Sequence, residues 1–204
     1  MKSILLIISV LTASLMAIGQ TDNHTEEFDF SYLPIKNGGR FLYNGTAHSF
    51  TLDIVSDSIN TTDFPNYIKV NDRIFQTSIV PLPATKLNLN HLTNAQQKEA
   101  LEAYMNYELE YFKNDLKLGY KNLRKEWMTI NAKLWLIWIF DVSRLKKDAD
   151  LAEQVTGQAY ASTICFNQIL DLNMPLFQGD PYEKTKKLVI KLMGTLKTYN
   201  NHQY

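Results

Sequence analysis

Carboxyl groups within residues 94–118 are the side chains of this sequence best placed to do chemistry. This stretch contains Glu102, Glu108 and Glu110. Apolar residues recur in it at helical spacings of three and four, and they are Leu101, Tyr104, Met105, Phe112 and Leu116. Glu108 interrupts that apolar stripe. A buried carboxyl group there would have a raised pKa and be a candidate acid or base. Alternatively, Glu108 lies at the edge of the stripe and reaches water or pairs with a lysine.

Asp141 is the second candidate catalytic residue. It follows "LWLIWIF", residues 134–140, the most apolar stretch outside the first 20 residues. An acidic residue at the end of a buried strand is positioned where catalytic residues can lie. More often, such a residue begins the following loop and caps its turn.

The remaining reactive side chains predict neither a metal site nor a cofactor site. His24, His48, His91 and His202 show no ligand spacing such as H-E-x-x-H, and nucleotide-binding loops and the G-x-S-x-G motif are absent. Cys165 is the only cysteine, so no internal disulfide can form. No activating group adjoins it in the apolar run "STICF", which predicts a buried, unreactive thiol.

One short motif concerns modification. The tripeptide "DSI", residues 57–59, resembles the Asp-Ser/Thr-apolar O-glycosylation motif of exported Bacteroidetes proteins. It falls in a predicted loop, which makes Ser58 a candidate O-glycosylation site.

Two helices are predicted to position these groups. The first begins after Thr93, because "TNAQ" fits a capping box with Gln96, and Gly119 is its predicted C-terminal stop. The second follows Asp180, the predicted N-cap, with Pro181 at the first helical position.

The rest of the chain predicts paired strands joined by tight turns. Turns are expected at Asn44-Gly45, Asn71-Asp72, Asn131-Ala132 and Asn167-Gln168, each between apolar runs. The segment "FDFSYLPI", residues 28–35, is expected to pack on the body as an edge segment.

The apolar run of residues 134–140 fixes the predicted architecture. In a strand, Trp135 and Trp138 point to opposite faces, and both faces of this strand are apolar. A sheet with one face in water would alternate apolar and polar residues, so this strand needs cover on both sides. We therefore predict an α+β fold, a three-layer α/β/α sandwich with a mostly antiparallel sheet.

The ends and the composition define the domain organisation. Residues 1–19 have the positive start, apolar middle and small residues of a cleaved signal peptide. We assign residues 20–37 to a flexible N-terminal segment and 38–204 to a single domain. The chain has 21 basic and 21 acidic residues, a balance that argues against nucleic-acid binding. No transmembrane segment is expected after signal cleavage.

The order of elements resembles that of the Mog1/PsbP-like α/β/α sandwich. The segments that carry the resemblance are "YNGTAHSFTLDI", the helix at 94–118, the two hairpins "EWMTINAKLWLIWIFDV" and "AYASTICFNQILDLNMPL", and the helix starting at "DPYEKTKKLVIKLM". The resemblance implies an adaptor, assembly or accessory role more than catalysis, and no functional residue can be carried over. The ending "MAIGQ" and the layout also resemble small exported proteins of Bacteroidetes.

These observations together favour a function without chemistry. We expect an exported, non-enzymatic interaction or accessory module of the periplasm or cell exterior, whose partner is another envelope or extracellular protein. The alternative is a small hydrolase or a ligand-binding protein with a pocket at the end of the sheet. Catalysis in that case would fall to Asp141 or Glu108.

Overall fold

The computed structural model describes residues 26–56, 58–62, 67–71, 73–82, 92–144 and 155–201. Within them the chain forms eleven strands and two helices. The strands before the first helix are β1 (Asp29–Ile35), β2 (Gly38–Asn44), β3 (Ser49–Val55), β4 (Ile59–Thr61), β5 (Tyr67–Val70) and β6 (Arg73–Pro81). The remaining elements are α1 (Asn94–Asn114), β7 (Leu118–Ile130), β8 (Lys133–Arg144), β9 (Val155–Cys165), β10 (Gln168–Phe177), α2 (Tyr182–Met193) and β11 (Lys197–Tyr199).

The strands form two sheets in which every described pair is antiparallel. The larger sheet has seven strands in the order β4-β5-β6-β10-β9-β8-β7. The smaller sheet has four strands in the order β1-β2-β3-β11. Mostly antiparallel pairing was expected from the tight turns between apolar runs.

Two long hairpins of the larger sheet turn on residues with a left-handed backbone. Asn131 and Ala132 connect β7 and β8 with φ of 52° and 60°, as the sequence predicts. The turn between β9 and β10 is at Phe166 and Asn167, with φ of 46° and 66°, one residue earlier than predicted. Both turns have the two positive φ values of a type I′ hairpin, whose twist matches that of paired strands.

Helix α1 begins where the capping box places it and ends earlier than expected. The backbone N–H of Gln96 donates to Thr93 Oγ1, and the backbone N–H of Thr93 donates to Gln96 Oε1. The helix ends at Asn114, and the chain reverses at Lys117, which has φ of 55°. Gly119 is therefore not the helix stop and lies within β7.

Asp180 has a different role from the predicted N-cap of α2. Pro181 is the N-cap residue and no side chain caps the helix. The Asp180 carboxylate instead accepts hydrogen bonds from Arg73 Nη2 at 2.6 Å and from the backbone N–H of Phe177 at 2.9 Å. The carboxylate thus links β6 to the end of β10.

Strand β8 is buried on both faces, as its sequence predicts. Trp135, Ile137 and Ile139 pack in one hydrophobic cluster. Leu136, Trp138 and Phe140 pack in a second cluster with residues of α1. Both tryptophans are completely buried, on opposite sides of the sheet.

The two faces of the larger sheet are covered by different kinds of structure. Helix α1 covers one face. The other face packs against α2 and against apolar side chains of β2 and β3, which are Phe41, Tyr43, Phe50, Leu52 and Ile54. The cover on that face is part sheet and part helix, because β2 and β3 present enough apolar surface to form a layer themselves. It is not the purely helical layer that the predicted α/β/α sandwich required.

The small sheet also corrects the predicted domain boundary. Strand β1 lies within residues 20–37, which the sequence assigned to a flexible segment, and pairs along its length with β2. This pairing agrees with the expectation that residues 28–35 form an edge segment. Strand β11 completes the sheet by pairing with β3. The signal peptide assigned to residues 1–19 lies outside the described residues.

Trp138 provides a direct test of the buried strand. Replacement of a buried tryptophan by a small residue costs about 3–5 kcal/mol, and a buried unpaired carboxylate adds a further penalty. We therefore expect Trp138→Asp to abolish cooperative unfolding and the near-UV circular dichroism of the fold. Leu123→Asp, on the exposed part of β7, is the control and is expected to fold. A stable, soluble Trp138→Asp protein would show that the assignment is wrong.

Candidate functional site

The structure places Asp141 inside a strand and not at the end of one. β8 continues to Arg144, and Asp141 lies opposite Gly157 of β9 and Lys121 of β7. Its Oδ2 accepts a hydrogen bond from Asn122 Nδ2 at 2.7 Å. Asp141 therefore neither ends the tryptophan strand nor caps a turn, since β8 stays paired with β7 past it, as far as Arg144.

Glu108 lies on the buried side of α1, with only 4% of its surface exposed. The neighbouring acids of the same helix are on its outer side. Glu102 pairs with Lys125 at 2.7 Å, and Glu110 accepts a hydrogen bond from Asn114 at 2.8 Å. The sequence left open whether Glu108 is buried or reaches water at the edge of the apolar stripe, and in the structure it is buried.

A second buried carboxyl group, Asp171 of β10, belongs to the same region. Strand parity places Asp171 on the face of the sheet that α1 covers, together with Tyr160 and Ser162 of β9. Asp171 Oδ1 accepts a hydrogen bond from Ser162 Oγ at 2.5 Å. Ser162 Oγ in turn accepts one from Trp138 Nε1 at 3.4 Å. Trp138 is thus linked to the Asp171 carboxyl group through the Ser162 hydroxyl.

Aromatic rings form the floor of this region. The Trp138 and Tyr160 rings stack with centroids 3.8 Å apart and an interplanar angle of 5°. Phe140 continues the stack at 5.8 Å from Trp138 and meets Phe112 of α1 edge to face at 5.3 Å. One side of this region is therefore lined by aromatic rings.

Five polar groups in this region have a fully buried atom with no hydrogen-bond partner. They are Glu108 Oε2, Asp171 Oδ2, Gln158 Oε1, Tyr111 OH and Tyr160 OH. We call these five residues the α1 polar cluster. The register spreads these groups along the sheet, because Gln158 lies four residues along β9 from Ser162, the partner of Asp171.

Burial and mutual repulsion raise the pKa values of Glu108, Asp171 and Tyr160. Desolvation raises the pKa of Glu108 to about 7. Desolvation also raises the pKa of Asp171 well above its ordinary value, and the nearby Glu108 charge adds to this, whereas hydrogen bonds from Ser162 and Tyr104 oppose it. Desolvation is likewise the main reason why the pKa of Tyr160 lies well above its usual range. Carboxyl groups with strongly raised pKa values occur at functional sites as well as in structural networks.

The sequence pattern around Asp171 marks it as one of two polar residues on one face of β10, but the pattern does not show that this face is buried. In "ILDLNMPL" the polar residues Asp171 and Asn173 alternate with Leu170, Leu172 and Met174. Such alternation normally indicates one face in water. Here α1 covers that face, so Asp171 is 1% exposed and Asn173 bonds to Gln76 at 2.7 Å.

The other candidates do not join this site. Among the described residues, no group of three or more histidine, cysteine, aspartate or glutamate side chains could hold a metal ion. His48 bonds through Nδ1 to Glu26 at 2.6 Å, and the ring stacks on Phe166. His24, His91 and His202 lie outside the described residues. Cys165 is buried, and desolvation raises the pKa of its thiol to about 11, which agrees with an unreactive cysteine.

Ser58 is exposed in the short connection between β3 and β4. Its backbone N–H donates to Ser56 Oγ at 3.2 Å. Asp57, the first residue of the tripeptide, lies outside the described residues. O-glycosylation of Ser58 stays a prediction.

Known proteins provide a limited comparison. No family model and no curated protein matches this chain. The fold is similar to the solution structure of cyanobacterial PsbP from Synechocystis, at 11% identity and a TM-score of 0.44. The match covers 89% of this chain and 99% of that one. It agrees with the resemblance in element order, and a TM-score below 0.5 gives it no weight in the arguments that follow.

Neither helix of the described chain combines the length and hydrophobicity that a membrane span requires. Helix α1 covers the polar cluster, and α2 packs on the opposite face of the sheet.

The buried Glu108 carboxyl group should make stability depend on pH. Its folded pKa of about 7 exceeds the ordinary value of 4.5, so the ionised form is disfavoured in the folded protein. The destabilisation by Glu108 is therefore absent below about pH 4.5 and grows as the pH rises towards 7. We expect Glu108→Gln to remove this fall and to raise the free energy of unfolding by about 3 kcal/mol at about pH 8.

Urea unfolding of the purified protein at several pH values measures this effect. The matched control is Glu110→Gln, which changes an exposed acid one half-turn along the same helix. A variant and a control with the same pH dependence would contradict the buried, unpaired state of Glu108.

Proposed function

We propose that the chain is an exported, non-enzymatic interaction or accessory module that works through contacts with another envelope or extracellular protein. The signal-peptide pattern of residues 1–19 supports export to the periplasm or the cell exterior. The near-neutral charge supports a protein partner more than a nucleic acid. The covered sheet and the exposed edge of β7 support a role in contact rather than catalysis.

The observation that carries this proposal is the outer edge of the seven-stranded sheet. β7 is the last strand of that sheet, and residues 120–125 are all exposed. Tyr120 and Leu123 are among the few large apolar side chains exposed on the described surface. We call residues 120–125 the β7 edge. An aromatic and an aliphatic side chain on an exposed edge are typical of protein contact sites.

The β7 edge favours contact through side chains. Pairing with β8 shifts register between Lys121 and Arg124, and Asn122 has φ of 54°. Such a bulge twists an edge strand away from regular pairing and discourages addition of another strand. A partner would therefore pack on the side chains of Tyr120 and Leu123 and would not extend the sheet.

Basic side chains surround these apolar ones. Arg124 lies over the Tyr182 ring at 4.8 Å, and Lys125 pairs with Glu102. Lys121 is exposed on the same segment. An apolar centre with a positive rim fits a partner that presents an apolar patch with acidic residues around it.

The acidic candidates support a non-catalytic role. A catalytic acid or base must come within hydrogen-bond reach of its substrate. Glu108 and Asp171 are almost completely buried, and Asp141 is held by Asn122. A hydrolase that uses Glu108 would first have to move α1 away from the sheet.

Site-specific photocrosslinking tests the proposed contact surface in the living source cell. A photoreactive phenylalanine analogue replaces Tyr120 in one variant and Val55 in another. Val55 is the matched control, because it is also exposed and apolar but lies on the small sheet, at the end of β3. We expect a discrete crosslinked protein from position 120 and none from position 55.

Two results would contradict the proposal. The first is the absence of a crosslink from position 120 in a variant that is exported and folded. The second is substrate turnover in a hydrolase screen that Glu108→Gln or Asp141→Asn abolishes.

A further inference from the structure

We propose that the layer formed by α2 and the small sheet docks on an anionic lipid surface. This layer packs with its apolar side on the larger sheet, so its other side faces away from the rest of the molecule. We call that side the outer face. The inference does not depend on the protein contact proposed for the β7 edge, which lies at the border of the larger sheet.

Strand parity shows which residues of the small sheet lie on the outer face. Phe50 and Leu52 of β3 pack in the cluster between the two sheets. Residues that alternate with them point to the opposite side. Thr51 is one of these, and Lys197 of β11 lies directly opposite Thr51. Lys197 therefore belongs to the outer face, where it is exposed.

Helix α2 presents three lysines on its solvent side. Lys184, Lys187 and Lys191 are three and four residues apart, so they form one stripe along the helix. All three are exposed. The other side of the helix carries Val189 and Met193, which pack in the same cluster as the small sheet. The stripe therefore points away from the larger sheet, as Lys197 does.

Helix α2 and the small sheet are neighbours within this layer. The backbone N–H of Asp53 in β3 donates to the Oγ1 of Thr195, which follows α2, at 3.0 Å. Two residues later Lys197 begins β11, which pairs with β3. The positive stripe of α2 is thus continued on the adjoining strand. We call Lys184, Lys187, Lys191 and Lys197 the outer lysines.

The outer face has an excess of positive charge. Among the described residues, no ion pair includes an outer lysine. Helix α2 contains four lysines and one acid, Glu183. On the small sheet, Asp53 is neutralised by Arg40, which donates to it from Nε and Nη2 at 2.6 and 2.8 Å. The other outward acid of these strands is Asp29, at the start of β1.

Two exposed aliphatic side chains lie on the same face. Tyr32 and Ile54 pack towards the larger sheet, so their neighbours Leu33 and Val55 point outwards. These two side chains are 41% and 50% exposed, and they are two of the five large apolar side chains exposed on the described surface. A surface that combines lysines with aliphatic side chains is typical of binding at a lipid interface.

The composition of the outer face favours a lipid surface over an acidic protein. Protein interfaces are depleted of lysine and use aromatic residues and arginine as anchors. Lysine is a hydrated point charge on a flexible stem, which suits the mobile phosphates of a bilayer. Leu33 and Val55 lie on β1 and β3, with β2 between them. Each can therefore enter the headgroup region without a shaped partner.

The number of outer lysines sets the expected preference for anionic lipid. A lysine close to an anionic bilayer strengthens binding by about fivefold. Four lysines that act together therefore predict a preference for anionic over neutral lipid on the order of several hundredfold. Because the attraction acts between exposed charges, salt should weaken it strongly.

Sedimentation with lipid vesicles tests the inference. The sample is the exported protein, with mass spectrometry to show that residues 1–19 are absent, because an apolar leader would itself bind lipid. One set of vesicles is an equimolar mixture of phosphatidylcholine and phosphatidylglycerol, and the other is phosphatidylcholine alone. We expect binding to the mixed vesicles and at least about a hundredfold weaker binding to the neutral ones. Sodium chloride at about 1 M, where the Debye length is about 3 Å, should release the protein.

A double lysine variant locates the contact. Lys187→Gln combined with Lys191→Gln removes two outer lysines and should weaken binding to the mixed vesicles by about thirtyfold. The matched control combines Lys113→Gln with Lys117→Gln, two exposed lysines at the end of α1, on the other side of the larger sheet. Lys113 and Lys191 each lie in the last turn of their helix, so the effect on helix stability is matched as well. The control should bind like the natural sequence.

A spin label shows which face meets the lipid. Cys165 is buried, so a nitroxide reagent should label only a cysteine introduced by Val55→Cys. When the protein binds mixed vesicles, this label is expected to lose contact with a water-soluble relaxation reagent and to gain contact with oxygen dissolved in the lipid. Leu123→Cys, on the β7 edge, is the control and should stay in contact with water.

Four results would each overturn the inference. They are the absence of binding to mixed vesicles, equal binding to neutral ones, equal affinity of the two double variants, and a label at position 55 that stays in water when the protein is bound. Binding to polyglutamate without binding to mixed vesicles would assign the outer lysines to an acidic protein instead. The photocrosslink from Tyr120 depends on none of these results, so the two proposals fail separately.

Discussion

Burial of β8 on both faces is the constraint on which the rest of the structure depends. A strand with Trp135 on one side and Trp138 on the other cannot leave either face in water without exposing a large apolar area. Helix α1 meets this requirement on one side, and the small sheet with α2 meets it on the other.

The two covered faces differ in how well their polar groups are satisfied. The face towards the small sheet has no buried carboxyl group among the described residues, whereas the face beneath α1 holds Glu108 and Asp171. Low dielectric makes a fully paired polar network stable and an incompletely paired one costly. The attachment of α1 is therefore where this fold departs most from consistent packing, and such departures are expected at functional sites.

Local patterns in the sequence determine the parts of the fold that could be predicted. The Thr93 capping box, the Asn131-Ala132 turn and the two apolar faces of β8 depend on near neighbours in the chain, and all three are present in the structure. The predicted end of α1 was wrong, because the helix ends at Asn114 and Gly119 lies in β7. A purely helical second layer was not confirmed, because β2 and β3 share that face with α2, and the apolar alternation in β2 and β3 does not reveal which surface they cover.

The candidate site could likewise be predicted only as far as it depends on near neighbours in the chain. Helical spacing identified Glu108, whose position depends on its own helix. Its neighbours Tyr160 and Asp171 come from β9 and β10, more than fifty residues away in the chain. No local pattern pairs these residues with Glu108, because strand order and the placement of α1 decide that proximity. The position of Asp141 was predicted wrongly for a related reason, since β8 continues past Asp141 by pairing with β7.

The small sheet joins the two ends of the described chain, because β3 lies between β2 from the N-terminal part and β11 from the C-terminal part. A chain emerging from a ribosome or a secretion channel has to deliver β11 before β3 gains its second neighbour. Until then one side of β3 has open backbone hydrogen-bonding groups, a state that favours association with other chains. Completion of this fold is thus tied to the emergence of β11, and a holding chaperone would have its greatest effect before that moment.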